Sequence, residues 1–440
     1  MDSVLVVLVA ERIAVIGGGY AGFAAAVTLA AAGRQVTVFE AAKTLGGRAR
    51  RLEAYDVVVN NGEHILLGAY AQTLALLRTV HGRRAERDLF DRRRLCLQEP
   101  GVFRLATPPL PAPWHLAAGL LTAHGLCWRE RRATIALVRR WRRDRFRCAP
   151  ILTVAQLLDR QPAAAIRHLW EPLCIAALNT PIEAASAQIF LNVLAAAFAS
   201  KAGDSEVLLP RTDLSSLFPD AAAAYVVDRG GSIRQGTTVT GVASRGHGVV
   251  LRSGYSDEDF VAAVIAVAPH QLGHLLGDRP GSPEAARALS CVEQFAYEPI
   301  VTAYMKYERP LELSQPMQKL DGAPGQWLFD RGQLDGPSGL AAVVISTAQP
   351  GERPDHATLA RAIDAQLRRK IPMLPPPAWL KVIAERRATY ACRAGLARPL
   401  PGRIAPGLYL AGDYTDPELP ATLEAATRSG VSAARQLLTS

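Results

Sequence analysis

The chain has 440 residues, 49% hydrophobic and 20% charged. At roughly 150 residues per domain that is enough for two or three domains, or one large two-part enzyme with a real core. It excludes a disordered, collagenous or coiled-coil chain. The formal charge is +10, and 44 of the 50 basic residues are arginine. Such an excess fits either an anionic partner or the codon bias of a GC-rich genome. The six cysteines are scattered with no CxxC pair, which reads as reduced thiols in a cytoplasmic protein and gives neither a disulfide framework nor a metal site. The apolar stretch Val4 to Ala10 is short and lacks a basic flank and a cleavage site, so no signal peptide is expected. Nor is a spanning helix, since no run of about eighteen apolar residues occurs.

In chain order, the first firm element is a β-branched strand, Arg12 to Ile16, running into glycines. An alanine-rich helix is predicted over Tyr20 to Ala32, closed by Gly33, and a second strand over Gln35 to Glu40. This is a βαβ unit. From about His81 to Ser200, leucine-, alanine- and arginine-rich segments predict helices, broken by the proline-rich stretch 108–113. Strand signals return at Thr237 to Thr240, Gly248 to Leu251 and Ala263 to Val267. Further strands are expected at Pro299 to Tyr307 and Gly339 to Thr347, with a helix over His356 to Lys370. The chain ends with a strand over Gly407 to Asp413 and a helix from about Ala421. The expected architecture is α/β: a Rossmann-like nucleotide-binding domain from separated segments (1–80, 205–290, 395–440), with an inserted α+β substrate domain (81–204, 291–394).

Gly17-Gly18-Gly19-Tyr20-Ala21-Gly22 is GxGxxG in its proper setting, after a strand and opening a helix. Gly17 permits the turn, Gly19 admits a pyrophosphate, and Gly22 lets helix pack on strand. The helix N-terminus then faces the phosphates. Glu40 ends the second strand, where a carboxylate accepts from ribose hydroxyls and repels a 2′-phosphate, favouring FAD or NAD over NADP. Gly46-Gly47-Arg48 adds mobile backbone and a fixed cation, which favours FAD. Near the other end, Gly412 and Asp413 follow a strand, and a helix opening at Thr422 and Leu423 aims its N–H groups at the flavin N1/O2 edge. Val239, in the returning strand region, completes the expected cofactor contacts.

These motifs together resemble the FAD-dependent amine oxidase and phytoene desaturase superfamily. Four inner stretches resemble one branch, the hydroxysqualene dehydroxylases or squalene-associated FAD-dependent desaturases: Asn61 to Tyr70; Trp170 to Cys174 with Ala177 to Pro181; Gly325 to Arg331; and Arg387 to Cys392 with Gly395 to Pro399. The likeness runs from about Ile13 to Ala434. Two departures stand out: Asn60-Asn61-Gly62-Glu63-His64 where that branch has Asp-Asn-Gly-Gln-His, and Glu424-Ala425-Ala426 where it has Glu-Gly-Ala. The Ala425 methyl is expected to crowd backbone beside the flavin.

The resemblance implies FAD-dependent reduction of hydroxysqualene to squalene, in squalene and hopanoid biosynthesis. The chemistry needs a hydride, an acid for the departing hydroxyl and a dry pocket. His64 and Glu63 are the candidate acids and Glu171 and Asp330 rank below them; Arg393 either reaches the pocket or is solvated. With no second dinucleotide fingerprint, an external electron donor or reductase is expected. A carotenoid-type desaturase, an amine oxidase and a non-redox isoprenoid carrier remain as alternatives. Between Trp128 and Arg147 nine arginines face two acids beside an apolar stretch. That pattern fits a peripheral contact with an anionic membrane, or simply a solvated helix; no nucleic-acid partner is expected.

Overall fold

The computed structural model describes residues 12–440 apart from 84, 247, 255, 278–280 and 347–354. The apolar stretch before Arg12, and the predicted end of one strand at Thr347, lie outside the described residues.

Strands from three distant stretches of chain meet in one six-stranded sheet. Its order is Ser232–Gln235, Gln35–Glu40, Arg12–Ile16, Ala262–Ile265, Leu408–Leu410 and Gly402–Ala405. All neighbours run parallel except the last, which pairs antiparallel with Leu408–Leu410. Buried on both faces, the central strands are apolar throughout: Ile13 to Ile16 and Ala262 to Ile265 are at most 6% exposed. The helix Tyr20–Ala31 packs on one face together with the last helix, Leu423–Leu438. A three-stranded antiparallel sheet (Val239–Arg245, Gly248–Ser253, Ser256–Phe260) closes against the other face, where Phe260 meets Phe39 edge-on at 5.9 Å.

A second sheet, of five antiparallel strands, has the order Met317–Lys319, Trp327–Asp330, Leu340–Ser346, Tyr297–Lys306, Trp379–Tyr390. Its two faces separate by side-chain alternation. Ala303, Met305, Leu328, Ala341 and Val343 pack with Ile363 and Leu367 of the helix His356–Lys370. Ile300, Trp327, Phe329 and Val344 point the other way, into a cavity.

The region predicted helical is mixed. Helices Trp114–Leu121, Trp128–Arg143, Glu171–Leu178 and Ala187–Phe198 are present. Phe90–Arg93, Cys96–Glu99 and Phe103–Ala106, however, are strands. The first pairs with Val207–Pro210, more than a hundred residues on, and the other two form a hairpin. Two further strands, Arg51–Ala54 and Val57–Asn60, make a hairpin that sequence reading passed over.

Candidate active site

One cavity of about 1130 Å³ runs from the end of the parallel sheet to the inner face of the antiparallel one. Its first part is the glycine turn. Gly17 has φ +113°, and a Cβ there would stand 2.5 Å from Ala266 O. Gly22 does not line the cavity; a Cβ on it would stand 1.9 Å from Gly17 O, so its bareness sets how closely helix approaches strand. Gly19 differs from both. Its backbone is extended (φ −89°), and a methyl at this position would come no nearer to protein than Gly47 Cα, at 3.8 Å, so the space beside it belongs to the cavity.

Glu40 closes this end. Its carboxylate accepts from Gly18 N–H and from Ala42 N–H, both at 2.7 Å, which leaves lone pairs for a ribose. Val239 lies beside it with Thr237 and Thr238. Gly46 donates its N–H to Gly18 O at 2.8 Å, which brings Gly46-Gly47-Arg48 against the turn. Arg48 then spans the cavity wall, donating to Asp413 Oδ1 and to Ala388 O, each at 2.7 Å. Gly412 has φ +153°, and a Cβ would strike the Tyr414 ring at 2.3 Å. The last helix opens at the cavity, its cap Thr422 accepting from Ala425 N–H at 3.1 Å. Leu423, Glu424 and Ala426 line the cavity; Ala425 is fully buried elsewhere, so its methyl does not press on the cofactor space. The buried Glu424 accepts from Gln72 N–H, Thr73 N–H and the Thr73 hydroxyl, at 2.7–2.9 Å, and so caps the helix Ala71–His81.

This cradle fits FAD. Glycine leaves room where a pyrophosphate would lie, an acid stands at the ribose position, and an Arg–Asp pair and a helix N-terminus stand further along. Gly19→Ala is expected to fold normally but to bind flavin about 1–3 kcal/mol more weakly, roughly ten- to a hundredfold, because the new methyl takes cofactor space only. Apoprotein melting and flavin titration check this; equal flavin affinity would contradict the placement.

Polar groups cluster where the two sheets face each other. Asn61 Nδ2 donates to Glu385 Oε2 at 3.1 Å and Arg48 O at 3.2 Å. Asn179 Nδ2 donates to Thr389 Oγ1 at 3.0 Å, which joins two of the four inner motifs. His64 lies in the cavity wall with Nδ1 3.1 Å from Gly62 O. In the neutral ring that contact places the proton on Nδ1 and leaves Nε2 for the cavity. Burial lowers the His64 pKa below the usual histidine value; the Gly62 carbonyl and the Glu63 carboxylate oppose this, and Arg48 adds to it.

Glu63 is held differently. Oε2 accepts from Arg331 Nη1 at 2.6 Å, Oε1 lies 2.8 Å from the Tyr304 hydroxyl, and the two charged side chains are 3–4% exposed. The same hydroxyl accepts from Asn60 N–H at 3.2 Å. Arg331 also pairs with Asp335, whose carboxyl burial pushes up to about 6, against the pull of the guanidinium. Glu63 thus lines the cavity as an anchor between the loop after the first hairpin and the five-stranded sheet, its carboxylate held by Arg331 and Tyr304. Asp330 is also engaged, accepting from Gly332 N–H and Gln333 Nε2. Glu171 does not line the cavity, although burial and then Glu183 raise its pKa. Arg393 does not line it either. Residues that sequence reading passed over are Glu385, His270 and Tyr304. His270 lines the cavity with its ring edge-on to Tyr297 at 6.0 Å.

Beyond this junction the wall is apolar: Leu95, Leu173, Phe190, Leu194, Trp327 and Phe329. Among the described residues no cluster of side chains could hold a metal ion, and no helix is long and apolar enough to cross a membrane.

A glycine cradle for a dinucleotide, opening directly into an apolar chamber, defines an FAD-dependent oxidoreductase. The chain belongs to the flavin containing amine oxidoreductase family, matched over residues 20–438. It is similar to a hydroxysqualene dehydroxylase of Rhodopseudomonas palustris, 29% identical over 97% of this chain and 98% of that one. A protein of the same name from Sinorhizobium fredii is 25% identical, over 96% and 97%. Among solved structures, an oxidoreductase from Methanosarcina mazei shares the fold at TM-score 0.72, with 14% identity over 96% of this chain and 99% of that one.

Proposed function

We propose that the protein reduces hydroxysqualene to squalene, removing an allylic hydroxyl in the supply of hopanoid or sterol precursors. The observation that carries this reading is one continuous cavity in which the FAD cradle opens into a largely apolar chamber, with polar groups gathered at the junction. The names of the full-length relatives support it. FAD, once reduced, supplies a hydride.

The chain's own residues do the rest. The chamber walls hold polyprenyl chains and exclude water, which strengthens the few polar contacts inside. His64 stands at the junction with Nε2 toward the cavity; protonated there, it donates to the departing hydroxyl. Arg48 and Asp413 fix each other across the cofactor space. Reducing equivalents come from an external donor, NAD(P)H or a separate reductase. The substrate dissolves in lipid, so an anionic membrane surface is part of the same reading.

The test is anaerobic. Chemically reduced enzyme is mixed with hydroxysqualene, the flavin absorbance is followed, and the products are extracted. Squalene formed in step with flavin reoxidation is expected. Reoxidation without squalene, or unchanged hydroxysqualene, refutes the assignment; a more unsaturated product from oxidised enzyme would replace it with desaturation.

A further inference from the structure

We infer that the two helices Trp114–Leu121 and Trp128–Arg143 form the face by which the protein docks on an anionic phospholipid surface, with lipid phosphates seated in the groove between them. The inference rests on the isoprenoid reading for its purpose, but not for its measurement.

The groove has a volume of about 600 Å³. Leu121, Ile135 and Ala136 give it an apolar floor, and Arg132, Arg139, Arg140 and Arg143 ring it. That pairing suits a phosphate with hydrocarbon attached: guanidinium forks for the oxygens and a greasy base for the first methylenes. The charge is also uncompensated. Of the two acids in the segment, Glu130 is turned back to cap its own helix, accepting from Cys127 N–H at 2.7 Å. The other, Asp144, lies 3.2 Å from Arg143. Among the described residues, no other arginine between Trp128 and Arg147 has a carboxylate within ion-pair distance. A helix solvated for its own sake would carry interleaved acids.

Large apolar side chains frame the same region. Trp114 and Trp128, which open the two helices, are 64% and 58% exposed, and Leu110 and Leu121 42% and 41%. Exposed tryptophans beside unpaired arginines match the boundary between headgroups and acyl chains, where an aromatic body and a cation each find their solvent. Duplex nucleic acid would use the arginines and leave the tryptophans and leucines in water.

The face is joined to the chamber. His115, at the start of the first helix, has Nε2 3.2 Å from Ser205 Oγ, and Ser205 lines the cavity. Gly119 packs at Ala106 and Thr107, at the end of the hairpin whose Leu97 lines the cavity.

The test uses the full flavin-loaded chain. It is sedimented with vesicles of phosphatidylcholine alone and of phosphatidylcholine mixed with phosphatidylglycerol, at rising salt. Pelleting only with the anionic vesicles is expected, weakening as salt screens the contact. Combined Arg132→Gln, Arg139→Gln, Arg140→Gln and Arg143→Gln should lower the partition roughly tenfold or more. Trp114→Ser with Trp128→Ser should weaken what remains at high salt. Both variants should keep their flavin and their turnover of detergent-dispersed hydroxysqualene, since none of these residues lies in the cavity. Failure of the parent to pellet at low salt, or equal pelleting by the arginine variant, overturns the inference. So does displacement of the protein from vesicles by stoichiometric duplex DNA, which would make nucleic acid the partner. If the parent pellets but makes no squalene, the docking face stands and the reaction assignment falls.

Discussion

Arg331→Met is expected to destabilise the protein by about 3–5 kcal/mol, because it leaves the Glu63 carboxylate buried without a cation. Glu63 and Arg331 are both nearly inaccessible to solvent, and their contact is 2.6 Å. Methionine fills the volume but offers no donor. Glu63→Gln combined with Arg331→Met should recover the share of the loss that Glu63 carries, since the remaining amide is neutral, and leave the share that Asp335 carries. Asp335 adds a pH signature. Its folded pKa, about 6, lies above the unfolded value, because burial outweighs the attraction of Arg331. A carboxyl raised in this way binds more protons folded than unfolded, so its share of stability falls as pH rises through that range. Removing Arg331 raises it further. The deficit of the single variant should therefore be largest at about pH 8 and shrink toward about pH 5, read by urea unfolding against the parent. A deficit under about 1 kcal/mol, or none recovered in the double variant, would show that the pair is not the anchor described.

His64→Ala should retain FAD and lose roughly a hundred- to ten-thousandfold in turnover, the usual range for a positioned acid. Among the described residues its side-chain hydrogen bond is to Gly62 of its own loop, so removal breaks no link between described elements. The pH profile separates an acid from a spacer. Burial first, then Arg48, hold the His64 pKa below the ordinary histidine value. The donating form is thus populated only at the acidic end, and kcat/KM should rise as pH falls from neutral through that lowered value. In His64→Ala this limb should vanish and the residual rate run flat. A variant that keeps both rate and limb would clear His64 and move attention to Glu385 and His270, which share the junction.

The cofactor half of the molecule was legible because its signals are local. A β-branched run, a glycine turn, an alanine-rich helix and an acid at the next strand end all fall within Arg12 to Glu40. Gly17 and Gly22 answer to backbone on an adjacent strand or within a few residues, so their meaning survives without knowledge of the rest. The final Gly412 and Asp413 read equally well, since a strand leads into them and a helix follows.

The antiparallel sheet was harder to read. Trp379–Tyr390 spells WLKVIAERRATY, whose charges and alanine suit a helix as well as a strand. It is a strand because it pairs along Tyr297–Lys306, a long-range partner that no local pattern announces. Phe90–Arg93 suffers the same ambiguity, being mostly charged and paired far along the chain. Glu63 shows the limit for function. As a carboxylate before a histidine it reads as an acid, but its partners Tyr304 and Arg331 come from positions 241 and 268 residues later. Only folding turns it into an anchor.

The five-stranded sheet places neighbouring side chains of one strand under different selection. Ile300, Phe329 and Val344 answer to whatever molecule occupies the chamber, whereas Ala303, Leu328 and Val343 answer to the helix behind. Ligand preference can therefore drift through exchanges at every second position while the rear packing stays fixed. The scaffold can be retuned for new ligands without first being made sturdier.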